Sequence, residues 1–347
     1  MGRRNKKYQK TLREQFHERL TEMQAFGESK RQAILDGTDK NKIFSFATYK
    51  SYWKVSKRYL RWLKKNHPDV STMKAARRHV REYLEEREQQ TDSSGKLLSA
   101  WTLHLEAAAL HKLFGIDKND PSRYVPPPRY RVDITRSRTR VARDRHFSEA
   151  NNNELIRFAR GTGLRRGALQ RLRGRDLWTR EDMERKVNKM SEKSQLSIEE
   201  KKLLTNLNEA LELFPDQSYF INHQRDKGGK SDFFTPIIGP DTDMIVQRMR
   251  NTATDKKVWE HVNTNADIHA YRADYATTLY KSVARRIEDI PYDKINRGTG
   301  LRYQSDVYHS RGDERGRKLD RRAMLIVSKA LLHNRLDVIS SHYLRGI

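Results

Sequence analysis

The chain has 347 residues, enough for two or three domains that each bury a core. It carries 71 Lys plus Arg against 45 Asp plus Glu, a net charge of +26 with a pI near 10.1, and that surplus points first to nucleic acid as a partner. The complete lack of Cys excludes disulfides, Cys-based zinc fingers and thiol catalysis.

Hydrophobic residues make up 35% of the chain and aromatics 9%, which predicts a folded protein. The start, Met1 to Lys7, is basic, but Lys10, Arg13, Glu14, Glu18 and Arg19 follow where a signal peptide needs an apolar stretch. No apolar run approaches the length of a bilayer span. The expectation is a soluble protein of the bacterial cytoplasm or nucleoid, with no membrane partner. Residues 1–40 are highly charged and helical around Leu12 to Leu35; they read as a basic helical arm, or as a solvated helix and tail.

From 41 to 119 the pattern predicts a small all-helical domain. Tyr49, Tyr52, Trp53, Ser56, Tyr59, Leu60 and Leu63 recur at three- and four-residue steps, the spacing of one buried helix face. Lys50, Lys54, Lys57, Arg58 and Arg61 fall on the remaining surface, with Lys64 and Lys65 beyond them. A basic stripe is usually only a solvated face, but acids are then mixed in, and between Lys50 and Asn66 there are none. The stripe therefore reads as a DNA-facing helix. Met73, Ala76, Val80 and Leu84 mark a further helix, and Trp101, Leu105, Ala108 and Leu113 another that ends near Gly115.

Residues 120–145 break the periodicity with Pro121, Pro126, Pro127 and Pro128, the mark of a stiff linker. It is basic, and Arg138 and Arg140 are its expected DNA contacts. The remainder, 146–347, opens with Ser148 as a helix cap before Leu155, Ile156 and Phe158. Residues 179–213 are rich in Lys and Glu and read as a solvent-exposed helical insertion. Tyr219-Phe220-Ile221 and Phe233 to Ile237, on either side of Lys227-Gly228-Gly229-Lys230, predict a β-hairpin. Helical periodicity resumes from Thr264, apart from a polar stretch at 291–316.

Four segments of this half, in this order, carry a resemblance. They are Thr162-Gly163-Leu164-Arg165 with Leu169, Leu172 and Asp176-Leu177; Lys227 in the hairpin turn; His269-Ala270-Tyr271-Arg272 with Tyr275-Ala276-Thr277; and Val327 to His333 followed by Tyr343. Together they resemble the motifs of the tyrosine recombinases of the phage lambda integrase type, carried by phages and by conjugative or transposable elements. Each segment alone has a bland reading. Arg165 would be one surface arginine among many, His269 a hydrogen-bonded core histidine, Lys227 an exposed lysine with Lys230 as a rival, and Tyr343 packing for a terminal helix.

The resemblance implies a multidomain, mainly α protein that clamps DNA: an all-α core-binding domain and an α+β catalytic domain with a small antiparallel sheet. It implies cleavage and rejoining of double-stranded DNA through a 3′-phosphotyrosyl intermediate and a four-way junction, by a homotetramer on two paired sites, with an accessory directionality factor as a further possible partner. Tyr343 would be the nucleophile. Arg165 and Arg272 would neutralise the scissile phosphate with planar forks of donors. His333 would donate to that phosphate, His269 would help move the phenol proton and Lys227 would protonate the leaving 5′-oxygen. No cofactor, metal or ATP is implied. Two positions depart from the family pattern: Ala168 stands where an acidic residue is usual, and Leu332 where Gly is usual. The rival readings are a non-catalytic, architectural DNA-binding protein on the same fold, and an RNA-binding basic protein. Relatives that resolve replicated dimers or hairpin telomeres would share the chemistry.

Overall fold

The computed structural model describes residues 10–130, 147–223, 233–292, 306–333, 335–344 and 347. The chain is mainly helical, with one three-stranded and one two-stranded antiparallel sheet, and divides into two compact units, 1–129 and 130–347. No helix among the described residues is long and apolar enough to cross a membrane.

The first unit is all α: α1 (Leu12–Glu22), α2 (Lys30–Leu35), α3 (Phe46–Asn66), α4 (Met73–Arg78), α5 (Val80–Glu88) and α6 (Ala100–Phe114). Local chemistry sets most of the boundaries. A Thr11–Glu14 capping box opens α1, and the Ser45 and Ser99 side chains cap α3 and α6. Gly115, at φ 64°, ends α6 in the left-handed conformation that costs glycine nothing. The unit's division from the rest differs from the boundaries expected at 40 and 119. Phe16 and Leu20 of α1 are fully buried in the same core as Tyr59, Leu63 and Tyr83, so the charged N-terminal stretch belongs to this unit from residue 12 onward. The start of the proline segment belongs to it too: Tyr124 is buried there, and its hydroxyl donates to Glu88 Oε2 at 2.7 Å.

Charge inside this core is fully engaged. Glu106, 1% exposed, accepts from Arg87 Nε and Nη2 at 2.9 Å each, from Arg58 and from the Tyr83 hydroxyl. A buried carboxylate is tolerated only with such partners. Val55 and Trp62 join the buried face of α3, while Tyr52, Trp53 and Leu60 lie at its half-buried margin.

The second unit contains α7 (Asn153–Thr162), α8 (Arg166–Leu169), β1 (Leu177–Thr179), α9 (Arg180–Ser191), α10 (Ile198–Leu213), β2 (Tyr219–His223), β3 (Phe233–Pro236), α11 (Thr242–Arg250), α12 (Ile268–Val283), β4 (Val307–His309), β5 (Lys318–Asp320), α13 (Arg321–Ala330) and a last short helix, α14 (Leu336–Val338). The expected hairpin is β2–β3, with Phe220 opposite Pro236 and Ile221 opposite Thr235; β1 adds a third strand, with Trp178 opposite Phe220. Its turn, with Lys227, lies outside the described residues, as do Arg138 and Arg140.

The segment 179–213, read from sequence as solvent-exposed, is only half so. Capping boxes at Thr179–Asp182 and Ser197–Glu200 start α9 and α10. Their inner faces bury Met183, Met190, Leu207 and Ala210 in the core that also holds Phe220, Tyr275 and Tyr343. The dense Lys and Glu content covers the other face and hid this apolar stripe. Lys329 Nζ of α13 pairs with Glu209 of α10 at 2.6 Å.

Helix α12 is the centre of the unit. The Tyr275 hydroxyl donates to Pro236 O at 2.9 Å, tying α12 to β3, and Thr235 Oγ1 donates to Ala330 O at 2.9 Å, tying β3 to α13. The entry to α13 is anchored by fully buried Asp320, which caps the helix and takes Arg285 Nε and Nη2 at 2.8 and 2.9 Å. Burial pushes the Asp320 carboxyl up, but the Arg285 bonds outweigh it and hold the group below the usual carboxylate range. A lowered folded-state pKa gives stability that is present above the ordinary carboxylate pKa and is lost as pH falls through the lowered value. Asp320→Asn is therefore expected to cost about 3 kcal/mol at neutral pH. Urea midpoints measured against pH should show the gap to wild type closing below about pH 4; a gap independent of pH would show that the carboxylate charge contributes nothing.

Candidate active site

Four of the residues singled out in the sequence converge in the second unit. Tyr343, 6% exposed, sits in a π-helical turn, Ile339–Tyr343. Its hydroxyl lies 3.1 Å from His333 Nε2 and accepts from Arg272 Nε at 3.4 Å. Arg165 Nη2 lies 3.2 Å from the same His333 nitrogen. His269 is exposed in the first turn of α12, three residues before Arg272, on the same helical face by spacing.

The donor inventory orders these protons. A guanidinium has no free acceptor, so His333 Nε2 must accept from Arg165. With Nε2 as the acceptor, the Tyr343 hydroxyl can only donate to it as well, so the two donors share its single lone pair. The phenol thus gives its hydrogen towards His333 while its oxygen accepts from a cation. That arrangement places the phenol oxygen between the His333 imidazole and the Arg272 guanidinium.

Each member is positioned by backbone that the sequence had hinted at only in part. Arg272 is 0% exposed, and its two Nη atoms donate to Gly163 O and Leu331 O. Gly163 ends α7 at φ 61°, and a Cβ there would lie 2.4 Å from the Tyr275 ring. Only glycine meets both conditions, and the close approach of α7 to α12 follows from it. Arg165 immediately precedes α8, and its neighbour Arg166 is not an idle surface charge. Arg166 donates to Asn263 O, and to Thr264 O and Ala266 O at 3.1 and 2.6 Å, stitching the first arginine segment to the loop that enters α12. Ala168, where an acid was the family expectation, is buried among apolar residues with Leu164 and Leu169.

The turn that presents His333 explains the other departure. Leu332 has φ 51°, the single positive φ among described non-glycine residues. His333 N donates to Ser328 O at 2.7 Å and Leu332 N to Lys329 O at 2.9 Å, the paired bonds of a Schellman helix end. A left-handed leucine costs about 1–2 kcal/mol, and burying its side chain returns about 2 kcal/mol. Leu332 is 6% exposed, so burial offsets the strain. Ser328 Oγ donates to His333 O at 3.0 Å and holds the same turn.

Arg317 was invisible to motif reasoning. It follows β4, yet its guanidinium donates to Ser340 O at 3.1 Å, Leu344 O at 2.8 Å and Ile347 O at 3.0 Å, holding the tyrosine turn against its own unit.

On the first unit, Lys50, Lys54, Lys57 and Arg61 are all exposed, and their spacing puts them along one stripe of α3. Lys50 and Lys57 lie over the rings of Phe46 and Trp53, at 5.6 and 5.9 Å. Arg58 differs, because it is bound to buried Glu106 and only partly free to meet a phosphate.

No protein-family model and no curated protein matches this chain.

Arg317→Ala should release the carbonyls of the tyrosine turn. The expectation is faster amide exchange across 339–344 and a loss of about 2 kcal/mol of stability; unchanged exchange there would show that the turn is held by packing alone.

Proposed function

We propose that this chain is a tyrosine-type site-specific DNA recombinase that integrates or excises a mobile element. The observation that carries the reading is the Tyr343 hydroxyl held between a buried arginine and a histidine, with a second arginine on that histidine.

Tyr343 Oη attacks the scissile phosphorus as its proton passes to His333. Arg165 and Arg272 supply donors for charge on the non-bridging oxygens, which makes the arginines the main electrostatic stabilisers of the transition state. Arg165 would have to exchange its bond to His333 for the phosphate, and the fully buried Arg272, whose Nη atoms hold Gly163 O and Leu331 O, would have to be uncovered to reach it. The 5′-oxygen leaves as the free hydroxyl after protonation by Lys227, a role that rests on the family resemblance alone, and His269 assists from the adjacent face of α12. The 3′-phosphotyrosyl ester retains the bond energy, so attack by a partner strand's 5′-hydroxyl reseals DNA without ATP. In this reading the first unit is the core-binding domain, the two units clamp the duplex, and four subunits act on two paired sites. The stripe of Lys50, Lys54, Lys57 and Arg61 tracks phosphates, with Arg138 and Arg140 of the linker extending the contact.

Labelled DNA from the region flanking the gene, incubated with protein and run on a denaturing gel, should give a protease-sensitive covalent band. Tyr343→Phe should abolish that band and leave binding affinity within about twofold. Tight binding with no band from wild type, even on nicked suicide substrates, would favour an architectural DNA-binding protein instead.

The combined change Lys54→Ala, Lys57→Ala and Arg61→Ala should lower the magnitude of the log Kd against log salt slope by about 2–3. An unaltered slope would remove the stripe from the DNA-binding surface.

A further inference from the structure

Among the described residues, three metal-ligating side chains converge in the first unit, far in sequence from the tyrosine turn. His67 ends α3, His79 lies at the junction of α4 and α5, and Glu82 stands in the first turn of α5. His67 Nε2 is 3.2 Å from Glu82 Oε1, and His79 Nδ1 is 2.9 Å from Glu82 Oε2. One ligand atom from each of the three lies within 4.8 Å of the others. We propose that His67, His79 and Glu82 form a binding site for a divalent first-row transition metal of the zinc type.

The geometry supports this in three ways. Bonds of about 2.0–2.1 Å in a tetrahedral site put neighbouring donor atoms about 3.3 Å apart, close to the two separations seen here. The two imidazole rings stack with centroids 3.7 Å apart and planes 29° from parallel. The stack holds both rings against the one carboxylate, His67 on Oε1 and His79 on Oε2. Exposure is graded: the histidine side chains are 23% and 26% exposed and the glutamate 54%, which leaves an entry path and open positions for water. Two nitrogens and one carboxylate suit zinc, cobalt or nickel better than magnesium or calcium, which take oxygen ligands. A bound ion would clip the end of the basic helix α3 to the α4–α5 junction. The proposal is independent of the recombination chemistry, for which the resemblance implied no metal.

The test uses the full chain stripped of metal by chelation. Calorimetric titration with zinc chloride at neutral pH should show a saturable equimolar site with Kd of about 1 μM or tighter. Cobalt(II) should give visible d–d absorption that zinc displaces. His79→Ala should weaken zinc binding about tenfold or more, and so should Glu82→Gln, which keeps the shape of the side chain; circular dichroism of the metal-free variants checks that they are folded. Absence of saturable binding by wild type would overturn the proposal. So would zinc affinity unchanged in a folded Glu82→Gln protein, which would put the ion on other histidines.

Discussion

The second unit is organised around one fully buried cation. The Arg272 guanidinium donates to the carbonyl that ends α7, to the carbonyl that ends α13 and to the tyrosine hydroxyl. A charge with no contact with water is tolerated only where its donors meet acceptors, so the ends of two helices and the terminal turn must come to it. The surrounding features serve that convergence. Gly163 lets α7 approach the Tyr275 ring, and Tyr275 and Thr235 fix β3 against α12 and α13. Leu332 adopts a left-handed turn so that Leu331 O faces the guanidinium while His333 faces the phenol.

The same convergence suits the proposed chemistry. A phenol is a weak nucleophile at neutral pH, with an ordinary pKa of about 10. Here its oxygen lies between the His333 imidazole, at 3.1 Å, and the Arg272 guanidinium, at 3.4 Å. Arg317 adds the third constraint by capping the carbonyls on both sides of Tyr343. The tyrosine turn is thereby held on its own unit, and the residues after it contact the same arginine. An exchange of C-terminal segments between subunits would have to break these bonds.

The first unit applies a related principle for a different end. Glu106 gathers Arg87, Arg58 and Tyr83 within an otherwise apolar and aromatic core. By taking Arg58 inward it leaves Lys50, Lys54, Lys57 and Arg61 as the exposed stripe of α3. Charge that looks uniform along the sequence is thus divided between a structural network and a solvent-facing surface.

Sequence alone determined the features set by local rules. The glycine end of α6, the 3.6-residue periodicity of α3, both hairpin strands at Tyr219 and Phe233, and the order of the four motif segments depend on neighbours a few residues apart, and all were legible. The helix cap expected at Ser148 is not formed, because α7 begins at Asn153 after Asn152, with no side-chain cap bond. Tertiary structure decided what depends on distant partners. Arg165 meets His333 across 168 residues, and Arg272 meets Gly163 across 109. Spacing could suggest that these residues belong together, but not that His333 would accept from Arg165 rather than donate. The bonds of Arg166 and Arg317 escaped notice because an arginine in a chain with +26 net charge reads as surface until its carbonyl partners are seen. The apolar faces of α9 and α10 were masked by the charges on their outer faces. Leu332 shows the same limit in one residue: its left-handed turn is favoured by the burial of its side chain, and burial is a property of the folded chain.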